Sequence, residues 1–278
     1  MNRGSSTVAL PLVEATDTRA HQQYDALIRA CRGVPPIRTA VVHPCDEGSL
    51  AAAIEAAAGK LIEPVLVGPE ARIRELAAAA RFDLAPIEIV DAPHSHAAAA
   101  QAVALARAGQ VGALMKGSLH TDELMGAVVH RESGIRTARR ISHVFIMDVP
   151  TYPKPLFITD AAVNLFPTLE EKVDILQNAI DLAHALGLKV PKVAILSAVE
   201  TITSKIPSTI DAAALCKMAD RGQITGAVLD GPLALDNAIN HQAARVKSIQ
   251  SMVAGDADIL LVPTLEAGNM LVKELTFL

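Results

Sequence analysis

Val111-Gly-Ala-Leu-Met-Lys-Gly-Ser-Leu-His-Thr-Asp-Glu-Leu124 is the stretch whose reading decides the fold. Ala113, Leu114 and Met115 form a short apolar run of the kind that makes a strand buried on both faces of a parallel sheet. Lys116-Gly117-Ser118 interrupts that run with a cation, a flexible backbone and a hydroxyl. Thr121 is placed to cap a helix, and Asp122 and Glu123 fall in its first turn, where the macrodipole favours negative charge. Strand, glycine turn and helix start together set free backbone N–H groups and a lysine at the carboxyl end of a strand. Open α/β sheets bind ligands along that edge, and anions find amide donors there.

Outward from this unit the same alternation repeats. Residues 20–30 read as a helix presenting Tyr24, Leu27 and Ile28, ended by Gly33 and Pro35-Pro36. Strands are expected at 40–43, 64–67 and 87–90, with helices at 47–58, 71–80 and from a cap at Ser95 to Ala108. Past His130 the rhythm changes. Residues 141–149 and 156–159 read as two strands joined by the Pro-rich turn 150–155, a link short enough for an antiparallel hairpin. Helix 169–186 ends at Gly187 and is followed by strand 192–196, helix 208–219, strand 227–229, helix 236–252, strand 259–262 and a last helix from Glu266. Strands spaced by helices indicate βαβ units and a largely parallel sheet with helices on both faces. A boundary near residue 140 divides the chain into a first α/β domain, 1–140 with an extension over 1–36, and a second, 141–265, with 266–278 as a returning helix.

Composition narrows the function. Hydrophobic residues make up 51% of the 278, yet aromatics are only 3% and Trp is absent, so the core is aliphatic. A net charge of −5 argues against nucleic acid as a partner, because phosphate-backbone binding needs a basic surface. Cys31, Cys45 and Cys216 are scattered and odd in number, which implies no disulfide framework. Residues 1–8 lack the apolar core of a signal peptide, and no uncharged apolar stretch is long enough to span a bilayer. The expectation is a cytoplasmic protein without a membrane partner.

Polar residues recur where strands are expected to end: Lys116 and Ser118, then Asp160 and Asn164, then Ser197 and Glu200, then Asp230. Strand ends of a parallel sheet share one edge, so their recurrence points to a ligand cleft, although each alone reads as a turn former or cap. Arg136, Arg139 and Arg140 lie in five positions, and guanidinium forks bind phosphate and carboxylate bidentately. Other motifs fail. Gly112 and Gly117 have P-loop spacing, but Ser118 stands where the lysine is required. Neither a dinucleotide fingerprint nor a G-x-S-x-G elbow occurs. His94-Ser-His96 precedes a helix without a third ligand nearby, so capping fits better than zinc. Cys216 falls in an amphipathic helix as a core residue.

Several segments together resemble the phosphate acetyltransferase and phosphate butyryltransferase family. They are Met115-Lys-Gly-Ser-Leu-His-Thr121, Ile141-Ser-His143, Phe157-Ile-Thr-Asp-Ala-Ala-Val-Asn164, Ala194-Ile-Leu-Ser-Ala-Val-Glu200, Leu229-Asp-Gly-Pro-Leu-Ala-Leu-Asp236, and Val253-Ala-Gly-Asp-Ala-Asp258 through Pro263-Thr-Leu-Glu-Ala-Gly-Asn269 to Lys273. They occur in family order over 37–278. Their wording is most similar to the butyryltransferase and enoyl-CoA-hydratase-associated branch.

The resemblance implies two α/β domains of the isocitrate/isopropylmalate-dehydrogenase-like type, with the active site in an interdomain cleft. It implies reversible acyl transfer, acyl-CoA plus phosphate giving acyl phosphate plus CoA, by direct attack and without metal, flavin or nicotinamide. CoA is then substrate or product, and the assembly a homodimer or higher homo-oligomer. In that scheme the candidate catalytic residues are Ser118, Asp160, Asn164 and Glu200. The candidate substrate-binding residues are Lys116, Thr121, Arg136, Arg139, Arg140, Ser142, His143, Asp230, Asn269 and Lys273. Lys116 and the arginines would hold anions; Ser118, Ser142, Asn164 and Asn269 would donate hydrogen bonds; Asp160 and Glu200 would orient them. Family members also carry a Gly-rich strand and a Ser-Arg-x-x-Asp-like segment beyond the position of Leu278. Two further expectations stand beside the leading one: CoA or acyl-phosphate binding without turnover, and a dehydrogenase of the same fold class.

Overall fold

The computed structural model describes residues 22–277. Residues 1–21 and 278 lie outside the described residues, and with them the first two positions of the helix expected over 20–30, the last residue of the terminal helix and the segment 1–8. The chain divides into two compact units. One is Ile28–Arg139; the other takes in residues 22–27 and 140–277, so the start of the first helix groups with the later unit.

The first unit is built on β1 (Ile37–Val42), β2 (Ile62–Gly68), β3 (Glu88–Asp91) and β4 (Ala113–Lys116), ordered β3-β2-β1-β4 with every pair parallel. Its strands are apolar on both sides because both sides are covered. Ala40 and Val42 of β1, with Val65 and Val67 of β2, pack against Ala98, Ala99 and Ala102 of α4 (Ser95–Arg107) and Leu124 of α5 (Thr121–Val128). Val41 and Leu66 point the other way, onto Leu50 and Ala53 of α2 (Glu47–Ala58) and Ile73 and Ala77 of α3 (Glu70–Ala80). Each fully buried Leu or Ile contributes roughly 1.5–3 kcal/mol relative to exposure.

Two caps differ from expectation. His94, not Ser95, caps α4: its Nδ1 accepts the amide of Ala97 at 3.2 Å. Thr121 is the first helical residue of α5, not its cap; His120 takes the cap position and bonds no first-turn amide through its side chain.

In the second unit α1 (Gln22–Ala30) is held at its start by Asp148, whose Oδ2 accepts the amides of Gln23 and Tyr24 at 3.0 and 2.9 Å. The sheet comprises β5 (Phe145–Met147), β6 (Leu156–Thr159), β7 (Lys192–Leu196), β8 (Val228–Leu233) and β9 (Ile259–Leu261) in the order β5-β6-β9-β7-β8. The expected hairpin is present, β5 being antiparallel to β6, but β5 covers only the last part of the apolar run. All other pairs are parallel. Phe157, Val193, Ile195, Ile259 and Leu261 face α6 (Leu169–Ala185) and α7 (Pro207–Asp220). Leu156, Ile158, Ala194 and Leu260 face α8 (Leu235–Ile239), α9 (His241–Val246) and α10 (Leu265–Phe277).

The single helix expected over 236–252 is therefore broken in two. Asn240 adopts an extended backbone (φ −132°, ψ 111°), and its side chain accepts the amides of Gln242 and Ala243 as the α9 cap. That local bond competes with helix continuation, as asparagine side chains commonly do. Helices thus cover both faces of both sheets, the α/β arrangement expected from the alternation.

Candidate active site

In the first unit the chain steps from β1 to β2 and β3 on one side, then returns to place β4 on the other. The reversal between β1 and β4 is a topological switch point, where a crevice opens outside the strand carboxyl ends. Val42 pairs with Lys116, so the exits of the two strands lie side by side. The amide of Gly117 donates to Val42 O at 2.9 Å, and that of Ser118 to His43 O at 2.8 Å. A Cβ on Gly117 would sit 2.5 Å from Val42 O and 2.8 Å from His43 O, so only glycine allows the two backbones to come this close. Lys116 is exposed, with Nζ resting 3.2 Å from Gly117 O.

Beside it, Asp46 caps α2 by accepting the amide of Ser49 at 2.8 Å. That amide, chiefly, holds the Asp46 carboxyl below the usual range; the hydroxyls of Ser49 and Ser118 assist, against a desolvation effect that raises it. Ser118 is thus drawn toward Asp46 while its amide is tied to β1. The turn offers a lysine, a hydroxyl and the helix start of α5, where Asp122 and Glu123 occupy the first turn. Thr121 is exposed at the first helical position.

The arginine segment is carried by the other end of α5. Gly134 donates to His130 O at 3.1 Å and Ile135 to Val128 O at 3.0 Å, folding residues 130–135 back onto the helix end. The eight residues of α5, Thr121 the first of them, carry that strap ~12 Å along the helix axis. Arg136 and Arg139 are exposed, and the Arg139 amide is fixed by Thr137 Oγ1 at 3.2 Å.

In the second unit Asp160 follows β6 and is only 3% exposed, as is Asn164. Asp160 Oδ1 accepts the amides of Ala162 and Val163 at 2.9 and 3.0 Å, and Oδ2 accepts Asn164 Nδ2. Asn164 Nδ2 also donates to Ile141 O, while its Oδ1 accepts Arg140 Nε. Arg140 Nη1 meets Glu171 Oε1 at 2.7 Å, and its amide meets Asp174 Oδ2 at 2.8 Å. Asn178 closes the circuit, donating to Arg140 O at 2.9 Å and Ser142 Oγ at 2.8 Å. Asp160, Asn164, Arg140 and Ser142 are therefore one network. Glu171, Asp174 and Asn178, which anchor it from α6, were not singled out by the sequence reading. Their spacing along one helix face is the signal that marks them, but only once Arg140 is known to lie opposite.

The other candidates vary. His143 packs against Phe145 at a tilt of 54° with ring centroids 4.2 Å apart; its buried Nδ1 has no hydrogen-bond partner among the described residues, and burial pushes its pKa down despite nearby Asp160. Asn269 Nδ2 reaches Ala161 O at 3.3 Å across the close approach at Gly268, bringing α10 to the end of β6. Glu200 Oε1 accepts Asn237 Nδ2 and, at 2.7 Å, Lys247 Nζ; the bond to Lys247 is the main cause holding its carboxyl low. Lys273 is exposed on α10. Asp230 is a correction. β8 runs on to Leu233, so Asp230 lies within the strand opposite Ala194 instead of at its carboxyl end. Near it, burial first and Asp230 next push the Cys216 thiol up to about 12, consistent with a packed cysteine. His43, at the exit of β1, was missed because it was taken as a strand residue.

The phosphate acetyl/butaryl transferase family model matches residues 94–278. The chain belongs to the phosphate acetyl/butyryl transferase family. It is 67% identical over 256 residues, 92% of its length and 81% of the relative's, to a phosphate acetyltransferase of Rhizobium meliloti. To a phosphate butyryltransferase of Clostridium beijerinckii it is 42% identical over 256 residues, 92% of this chain and 85% of that one. The crystal structure of a branched-chain phosphotransacylase from Enterococcus faecalis superposes with a TM-score of 0.72 at 29% identity, covering 86% of this chain and 84% of that one. The protein is thus an acyltransferase with the α/β fold of the phosphotransacylases; the binding-only and dehydrogenase expectations are not favoured. The matched stretch includes every candidate residue from Lys116 to Lys273 and leaves out β1 and His43. Among the described residues no group of three or more His, Cys, Asp or Glu side chains is arranged to hold a metal, and no helix is long and apolar enough to cross a membrane.

Proposed function

We propose that this transferase moves a short acyl group reversibly between CoA and inorganic phosphate, with acetyl favoured over butyryl. Family membership carries this reading, and the greater identity to the acetyltransferase relative supports the acyl preference. A phosphate oxygen attacks the thioester carbonyl carbon, forming the new C–O bond. The carbonyl electrons move to oxygen and return as the C–S bond breaks; CoA leaves as the thiolate and takes a proton from solvent. The chemistry needs no covalent enzyme intermediate, so the residues contribute positioning and charge stabilisation.

Lys116, Arg136 and Arg139 are assigned to anionic oxygens, the Ser118 hydroxyl to a hydrogen bond on phosphate or on the developing oxyanion. Arg140 is held at Nε and Nη1 by Asn164 and Glu171, which leaves its remaining guanidinium N–H groups for a ligand. Asp160 orients Asn164, and Glu200 secures Asn237 and Lys247. The working form is proposed to be a cytoplasmic homodimer or higher homo-oligomer in which CoA is substrate rather than cofactor.

The test is phosphate-dependent release of CoA thiol from acetyl-CoA and butyryl-CoA, with the acyl phosphate followed by phosphorus NMR. Thiol release that does not require phosphate, or no release from either thioester, overturns the reading.

A further inference from the structure

His43 stands directly after β1, at the switch point with β4, and holds the Lys116–Ser118 turn from both sides. Its carbonyl accepts the Ser118 amide at 2.8 Å, and its ring Nδ1 lies 2.8 Å from the Ser118 carbonyl oxygen. A carbonyl oxygen only accepts, so Nδ1 carries the proton in this contact. The backbone is arranged for this contact. His43 has φ +54°, in the left-handed region that residues other than Gly, Asn and Asp seldom enter, and Cys45 N closes back on His43 O at 2.8 Å. Gly117 leaves space for it: a Cβ there would come within 2.9 Å of His43 C.

Without the ring N–H, the Ser118 carbonyl loses its side-chain partner, and the Ser118–Leu119 peptide is held only by the Leu119 amide, which donates to Gly117 O at 3.1 Å. That single weaker hold lets the peptide tilt, and the Ser118 hydroxyl and Lys116 ammonium then lose their common direction; the amides of Gly117 and Ser118 stay bonded to β1. We propose that His43 is a positioning residue that fixes the Lys116–Ser118 turn in the shape that receives a phosphate group, either free phosphate or a phosphate of CoA. This rests on the acyltransferase reading for its kinetic arm only.

Three variants of the full chain separate the ring bond from the backbone. His43→Asn keeps a side-chain N–H donor and tolerates the left-handed backbone. His43→Gly keeps the backbone and loses the donor; His43→Asp keeps the backbone and presents an acceptor to an acceptor. Calorimetry with inorganic phosphate and, separately, with CoA is expected to show affinity for one of them reduced about tenfold or more in His43→Gly and His43→Asp, which identifies the source of the phosphate group; that loss corresponds to about 1.4 kcal/mol. His43→Asn is expected within about threefold of the parent. In turnover the same variants should raise KM for that substrate with kcat nearly unchanged and the shape of the pH profile retained.

Parent-like binding of both ligands by His43→Gly and His43→Asp overturns the proposal. So does His43→Asn failing as badly as the other two, or a parent chain that binds neither ligand. Should His43→Gly fail to fold, His43→Asp against His43→Asn decides alone. A parent that binds phosphate or CoA but transfers no acyl group counts against the acyltransferase reading, while the calorimetry still judges His43.

Discussion

The turn after β4 is shaped by main chain: the amides of Gly117 and Ser118 bond the carbonyls of Val42 and His43, and no side chain other than glycine fits between them. The region after β6 is shaped by side chains, Asp160 to Asn164 to Arg140 to Glu171, with the first two almost wholly buried. A main-chain site is robust to most substitutions and intolerant at the one position where backbones touch. A side-chain network spreads its sensitivity over every member, because removing one partner leaves a buried polar group unpaired.

The sharpest way to break this contrast is Gly117→Ala. Its methyl would lie 2.5–2.9 Å from main-chain atoms that cannot rotate away, so the strands must part. Overpacking of this kind costs ~1–3 kcal/mol in stability, and an ångström of displacement at a site costs on the order of 100-fold in rate. A matched kcat/KM and melting temperature would show that the turn is not closed as described.

Asn164→Ala comes next. It strips Asp160, Arg140 and the Ile141 carbonyl of a shared partner, at about 1–3 kcal/mol in denaturant stability, with activity falling as Arg140 loosens. An unchanged unfolding midpoint would mean that the network does not hold the unit together.

Smaller effects are expected from the exposed arginines. Arg136→Ala and Arg139→Ala should melt normally, yet raise a substrate KM by roughly 10-fold or more if a charged hydrogen bond of ~1.5–3 kcal/mol is lost. Kinetics equal to the parent in both single variants would leave these two as surface.

Smallest is the acid limb of stability. His143 titrates lower in the folded chain than its ordinary 6.5 because it is buried, so the unfolded chain takes the proton first. Its share of stability is complete above pH 6.5 and is lost as pH falls below that value. Glu200 is held below its ordinary 4.5 by Lys247, and its share is lost only as pH falls through 4.5 and beyond. Melting temperature should therefore sag in two steps on acidification, and His143→Gln should remove the first alone. An exposed ion pair is worth ~0.2–1 kcal/mol, so the second step is shallow.

Much of this was legible in advance. The helix over 47–58 has the bounds expected of it, since an alanine-rich segment between Gly and Asp has few alternatives. Strand-end polar residues marked Lys116, Ser118, Asp160 and Asn164 because polar groups recurring at that edge meet main-chain amides and each other instead of apolar neighbours. The misses share a cause. Asp230 was placed at a strand end because the strand was expected over 227–229, yet pairing with β7 carries β8 on to Leu233. Asn240 looked like one more polar helix residue, yet its side chain caps and so ends a helix. His43 looked like strand because nothing local reveals a positive φ.

What the sequence determined by itself is the alternation, the aliphatic two-faced strands and the chemistry gathered at their carboxyl ends, because side-chain period and burial act over a few residues at a time. Only the tertiary structure decided that β4 returns beside β1, that Arg140 is tied to Glu171 and Asp174 across 31 and 34 positions, and that His43 clasps Ser118 across 75. Those contacts depend on strand order and on the directions of main-chain carbonyls. Neither is written in the spacing of residues along the chain.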